Sequence, residues 1–281
     1  MEAVKLTGKN ALVLGAARGV GRDIALTLAG EGVNIIAPYY DWPHDCGELI
    51  RRLEVLDGHH LTMRADLRQE DEVRELAARI KSEYGCLDIL INNIERGGMP
   101  IVHGPYTPEQ WELEMATTLR AKWLVFQETL HLLKKSAQGA VVNISSIAGL
   151  IGRAGPAGLI FNDAYAAANR AVSSFTETWA RQAAPAVRVN ELMLGFIESR
   201  HAEGTRGWEM LSDEERRAIT ERSLLARTGC RAEVSRAVLF LIRDATFMTG
   251  AVVTMDGGFR LGHDAVPEMP PGTDNLGIQV T

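Results

Sequence analysis

Residues 11–21 read Ala-Leu-Val-Leu-Gly-Ala-Ala-Arg-Gly-Val-Gly, and no other stretch limits the fold so tightly. A short apolar run, 11–14, breaks into three glycines, Gly15, Gly19 and Gly21. Val20, Ile24 and Leu28 then follow at helical spacing. A strand that turns sharply into a helix gathers backbone N–H groups and the positive end of a helix dipole at one spot, which suits a pyrophosphate. The spacing is G-x-x-x-G-x-G rather than the commonest dinucleotide fingerprint, G-x-G-x-x-G. Taken alone, it also permits a plain glycine turn with no ligand.

Six more strand-like runs follow, at 33–38, 60–64, 87–91, 140–144, 187–191 and 251–254. Helical spacing separates them: Val73, Leu76, Ile80 and Tyr84; Leu119, Trp123, Phe126, Leu130 and Leu133; Tyr165, Ala168, Val172, Phe175 and Trp179; Val234, Val238 and Leu241. Thr107-Pro108 marks one helix start, and Asn162 or Asp163 caps another. Short strands apolar throughout imply burial on both faces, hence a parallel sheet. Strand–helix alternation then predicts a doubly wound α/β fold of about seven strands, a single domain over 1–262. The polar stretch 195–228, with a helical segment at 212–222, is expected to leave the sheet as a substrate lid. A Pro-rich tail, 263–281, completes the chain.

The net charge of −6, with no basic block, argues against nucleic acid. No apolar run is long enough to span a bilayer, and no leader pattern precedes the first strand, so a cytoplasmic protein is expected. Cys46, Cys86 and Cys230 are scattered and odd in number, as free thiols in a reducing compartment would be. His103, His201 and the His59-His60 pair lack metal-ligand spacing, and no metal is expected.

With these elements placed, the remaining motifs resemble the short-chain dehydrogenase/reductase family over about residues 5–262. Leu90-Ile91-Asn92-Asn93 is similar to its N-N-A-G strand end, and Val142-Asn143-Ile144-Ser145-Ser146 to the strand bearing its serine. Ala164-Tyr165-Ala166-Ala167-Ala168-Asn169 occupies the Y-x-x-x-K position. Val187-Arg188-Val189-Asn190, then Leu194-Gly195-Phe196-Ile197-Glu198-Ser199, match R-V-N and P-G-x-x-x-T, and Thr249-Gly250 and Asp256-Gly257-Gly258 match T-G and D-G-G.

The resemblance implies an oxidoreductase with Ser146 holding the substrate oxygen and Tyr165 as proton donor. It also implies a dinucleotide held by Gly15, Arg18, Gly19, Val20, Gly21, Tyr39, Asp66, Leu67, Asn92, Tyr165, Asn169, Gly195, Ile197 and Ser199. Four departures stand out: Thr118 at the family's catalytic Asn, Asn169 at its Lys, Glu95 at a Gly, and Leu194 at a Pro. The interval from Ser146 to Tyr165 is also long and glycine-rich, and is expected to reshape the substrate mouth. NADP(H) is favoured, because Arg18 is available to a 2′-phosphate and Tyr39 stands where an acidic residue binds the ribose of NAD; NAD(H) stays possible because Asp41 is near. Tyr39 is expected to stack on adenine or on Arg18. A homo-tetramer or homo-dimer is implied, with helices near 108–135 and 162–183 packing on their mates through Trp123 and Phe175 or Trp179.

The missing Lys matters chemically. A free phenol has a pKa near 10 and is protonated at neutral pH; a neighbouring ammonium favours the phenolate. Without it, Tyr165 is a competent acid and a poor base, unless another cation substitutes. Lys122, one turn beyond Thr118, is the candidate, with Arg170 and Arg153 weaker; a solvated or interface lysine is the competing reading. Glu95 is expected either as a general acid or base raised by burial, or as a solvent-facing carboxylate. Three functions follow: an NADP-dependent carbonyl reductase, a nucleotide-binding regulator without redox turnover, and a non-redox lyase or dehalogenase on the same scaffold.

Overall fold

A computed structural model describes residues 4–95, 107–198, 208–264 and 266–267. All seven apolar runs are strands: β1 (Asn10–Val13), β2 (Asn34–Tyr39), β3 (Leu61–Arg64), β4 (Ile89–Asn92), β5 (Gly139–Ser146), β6 (Val187–Leu194) and β7 (Val252–Met255). They form one parallel sheet in the order β3-β2-β1-β4-β5-β6-β7. The helices are α1 (Gly19–Gly30), α2 (Pro43–Leu53), α3 (Glu70–Tyr84), α4 (Pro108–Glu114), α5 (Ala121–Leu133), α6 (Ala148–Ile151), α7 (Asp163–Ala183), α8 (Asp213–Arg222) and α9 (Arg231–Leu239). No described helix is long and apolar enough to cross a membrane.

Alternation along the strands explains the two-sided core. Ala11 and Val13 of β1 pack with Ile24, Leu28, Val234 and Val238 on one face. Leu12 and Leu14 pack with Val73, Leu76, Val125 and Phe126 on the other. A third cluster, with Phe161, Tyr165 and Phe259, lies beyond the C-terminal ends of β5 and β6.

Two departures from the sequence expectations concern helices. Helix α2 was not anticipated; Pro43 opens it, and Cys46, Leu49 and Leu53 bury one face. The helix expected over 108–135 is interrupted at Met115–Arg120 by a π-helical stretch between α4 and α5. Thr118 and Lys122 nevertheless both face inward, 0% and 1% exposed.

Polar ties explain two of the motifs. The Arg188 guanidinium donates to the carbonyls of Leu241, Ile242 and Ala245 at 2.8–3.0 Å, satisfying the end of the helical run that continues α9. Asn190 donates to the Met248 carbonyl and accepts from the Ala251 N–H, which registers β7 on β6. At the opposite end of the sheet, the buried Asp88 carboxylate accepts from Lys9, the Asn10 N–H and Ser136.

Candidate active site

The strand order reverses between β1 and β4, and in an open α/β sheet that switch point opens a crevice at the C-terminal strand ends. Successive loops line it: Gly15 and Arg18–Val20 after β1, Tyr39–Trp42 from β2, Asp66–Arg68 after β3, Asn93–Glu95 after β4, and Gly195–Ile197 after β6. Ser146 and Tyr165 complete the wall.

Close backbone approach explains the glycines. Gly15 has φ +67° and Gly19 +57°, conformations that disfavour a side chain. A Cβ on Gly21 would lie 2.2 Å from the Gly15 carbonyl oxygen, and one on Gly15 would lie 2.4 Å from that of Asn93. Arg22 fixes the turn, donating from Nε to the Ala17 carbonyl at 2.8 Å and pairing with Asp45 of α2 at 3.0 Å.

The far end of the crevice is basic and aromatic. The Arg18 guanidinium lies 3.9 Å from the ring centre of Trp42, while Tyr40 carries Arg64 and Arg68 at 4.7 and 5.3 Å. The stacking partner of Arg18 is therefore Trp42 rather than Tyr39, because the turn at the start of α2 brings that indole back over the glycine loop. Asp66 is clamped by Arg68 through two side-chain hydrogen bonds at 2.7 and 2.8 Å, which hold its carboxyl below the ordinary range.

At the other end Tyr165 is 5% exposed, and the Asn162 cap accepts from its backbone N–H at 2.7 Å. The phenol donates to Glu95 Oε2 at 3.0 Å, and the Ser146 hydroxyl lies beside it and favours its ionised form. Burial, then the Glu95 carboxylate, raise the phenol's pKa well above the ordinary value. Ser146 Oγ also accepts from the Ala148 N–H at 3.1 Å. Glu95 itself is exposed, as the solvent-facing alternative expected, while its Oε2 meets the buried phenol.

Several expected residues lie behind the wall rather than in it. Asn92 is fully buried and donates to Asn143, so Asn93 and not Asn92 meets the crevice. Gly21 sits beneath the turn. Thr118 donates to Glu114 within the core, and Thr117 takes its place in the wall. Asn169 is buried, its Nδ2 donating to the Tyr165 carbonyl at 2.9 Å while Oδ1 has no partner. Ser199, His103 and His201 lie outside the described residues, as do 199–207 of the expected lid and most of the tail; of the lid, Gly195–Ile197 and Trp208 are in the crevice wall.

Lys122 is neither solvated nor at the surface. Its ammonium donates to the Ile144 carbonyl at 2.7 Å, and burial pulls its pKa to about 8 against the opposing charges of Glu95, Glu191 and Glu114. Tyr165 is not made more acidic, so the expected substitution of one cation for another does not appear as a lowered phenol pKa. Glu191 was missed at the sequence level. It is fully buried on β6, accepts from Ser145, Ser173 and Thr176, and is raised by burial. A carboxylate between Val189 and Leu192 in an apolar strand was the available signal.

These residues suit a dinucleotide. The glycine turn leaves no room for side chains, and α1 starts against it. Residues 15–260 match the family model described as enoyl-(acyl carrier protein) reductase. The 3-oxoacyl-(acyl-carrier-protein) reductase FabG of Thermotoga maritima is 30% identical over 259 residues, 91% of this chain and 99% of that protein. The Staphylococcus aureus reductase of the same name is 30% identical over 262 residues, 92% of this chain and all of its own length. In fold, the chain is similar to the NADPH-dependent 3-quinuclidinone reductase of Rhodotorula rubra, with a TM-score of 0.76 at 23% identity, covering 92% and 93% of the two chains. The chain belongs to the short-chain dehydrogenase/reductase family, and its relatives are oxidoreductases of the ketoacyl reductase kind.

Proposed function

We propose that this protein is an NADP(H)-dependent reductase that acts on a carbonyl or another polarised double bond. Tyr165 is its proton donor and Ser146 holds the substrate oxygen. One observation carries the reading: Ser146 and Tyr165 stand together in the wall of the crevice that the glycine turn opens, where a dinucleotide would lie. A phenol whose pKa is pushed up stays protonated, the state an acid needs. Ser146, already accepting from the Ala148 N–H, has its own proton to donate to the substrate oxygen. A bound nicotinamide supplies the hydride. Phe161 and Phe196, stacked with ring centres 5.1 Å apart, give the substrate side an apolar wall. That wall and the names of the relatives favour 3-oxoacyl thioesters and hydrophobic ketones as the first substrates to try.

Arg18, held over Trp42 beside Tyr40 and Arg64, supports NADP(H) over NAD(H). Calorimetric titration tests this. Arg18→Ala should weaken NADPH about tenfold or more, the loss of one charge-assisted contact, and leave NADH unchanged. Equal loss for both cofactors overturns the preference. Consumption of NADPH with the thioester and ketone panel tests the reaction. The neutral Asn169 favours the second reading, nucleotide binding without redox turnover, and binding with no turnover on the whole panel selects it. The same proposal takes the protein to be a cytoplasmic homo-oligomer, a dimer or tetramer. Trp111 and Trp123 on α4 and α5 are 38% and 42% exposed and supply apolar contact. Sedimentation of Trp123→Glu, expected to shift to smaller species, tests that part.

A further inference from the structure

We propose that Glu95 is the proton partner of Tyr165, so that a carboxyl group at the end of β4 carries the charge that the catalytic step would otherwise leave on a phenolate. This deepens the preceding reading and rests on its assignment of Tyr165 as proton donor.

Four observations meet at this pair. Glu95 Oε2 is 3.0 Å from the Tyr165 hydroxyl. Position 169 provides no cation: Asn169 is neutral, and its Nδ2 is engaged by the Tyr165 carbonyl. A phenolate at Tyr165 would sit buried beside a carboxylate, an arrangement of two adjacent negative charges that low dielectric makes costly. Finally, Tyr165 is buried while Glu95 is exposed, so the carboxyl group connects the phenol to solvent. The charged groups around the pair are Lys122 on α5, which feels Glu95 most strongly, and Glu114 on α4 and Glu191 on β6, which act on Lys122. Glu114 also acts on Tyr165 directly, and the Ser146 hydroxyl on β5 lies beside the phenol.

The step balances as follows. With the hydride that a reduced nicotinamide at the glycine turn would supply, the carbonyl carbon gains an electron pair and the π pair moves to oxygen. The Tyr165 O–H bond breaks and its proton joins that oxygen. The Glu95 carboxyl O–H breaks in turn, and its proton reforms the phenol. The result is an alcohol, a neutral Tyr165 and a Glu95 carboxylate, which takes a proton from water. In oxidation the carboxylate is the base and receives the proton through Tyr165.

Reduction therefore draws on a proton held by Glu95 and should fall as pH rises, while oxidation should rise over the same interval. Glu95→Gln keeps a hydrogen-bonding group and removes the exchangeable proton. It should erase that limb from both profiles and slow reduction about a hundredfold, the low end of what a positioned proton donor contributes, with NADPH affinity within about twofold of wild type, well under the factor a lost hydrogen bond would cost. A readout independent of turnover is the ultraviolet titration of phenolate in the cofactor-free protein, with Tyr165→Phe identifying the signal. Removing the carboxylate should let Tyr165 ionise at lower pH. Glu95→Asp, which keeps the acid, should keep the limb. An unchanged pH profile with an unchanged phenol titration in Glu95→Gln overturns the proposal. If wild type binds NADPH but reduces nothing, the functional reading fails instead, and the phenol titration still decides whether the two side chains are coupled.

Discussion

Lys122 shows what a single side chain contributes through its surroundings. An ordinary lysine titrates near 10.5, and burial brings this one to about 8. Between these values the unfolded chain binds the proton that the folded chain has lost, so folding stability rises with pH across that window. Below about pH 8 the full desolvation cost is present. Lys122→Met should remove the rise, which by linkage is on the order of 3 kcal/mol. Urea unfolding below pH 8 and again near pH 10.5 measures it, and a variant with the same pH slope as wild type contradicts the assignment. At Gly21 the constraint is steric instead. A methyl group there meets the Gly15 carbonyl and the Asn93 side chain. Gly21→Ala should displace the turn and abolish NADPH binding in the same titration used for Arg18.

Helix termini decide how precisely the site is held. Asn162 caps α7 by accepting from the backbone of Tyr165, so the cap and that side chain share the first turn. Asn162→Ala should cost about 1 kcal/mol of stability. It should also lower kcat with little change in NADPH affinity, because Tyr165 loses its anchor while the glycine turn is untouched. Ser212 and Glu215 form a reciprocal capping box on α8, and neither side chain lines the crevice. Ser212→Ala should cost a similar amount by thermal unfolding and leave kcat alone. The sequence offered both Asn162 and Asp163 as caps; backbone geometry selects Asn162 and makes Asp163 the first helical residue. Helix α2 was overlooked because its apolar face is only three residues, yet Pro43 and the Cys46, Leu49, Leu53 spacing were readable.

Across the molecule, both faces of the sheet are sealed by helices, one through aliphatic side chains alone and the other with an aromatic stack. Trp179 is 2% exposed and stacks on Phe126 at 4.1 Å and on Phe175 at 4.8 Å. It belongs to the core between α5 and α7 rather than to a surface for a second subunit, which corrects its expected role. Trp179→Ala should destabilise the fold by about 3–5 kcal/mol in denaturant unfolding. The long segment between Ser146 and Tyr165 does reach the crevice: Ile160 and Phe161 are in its wall. It can do so because Gly149 lets α6 approach α7 so closely that a Cβ would lie 2.7 Å from the Arg170 nitrogen.

Strand and helix periodicity, the glycine turn and the caps are local properties, so the chain alone determined the seven strands, their parallel packing and the crevice at their C-terminal ends. The apolar alternation that buries both sheet faces is written residue by residue, whereas Ser146 and Tyr165 were legible only through the family resemblance. Only the tertiary structure decided that Glu95 meets Tyr165, seventy residues apart, that Trp42 covers Arg18, and that Lys122 shares its interior with Glu191. These contacts join separate elements through the ends of side chains, and no period in the sequence encodes them. They depend on how far each loop carries its residue over the sheet edge and on which charges the packed core leaves unscreened by water.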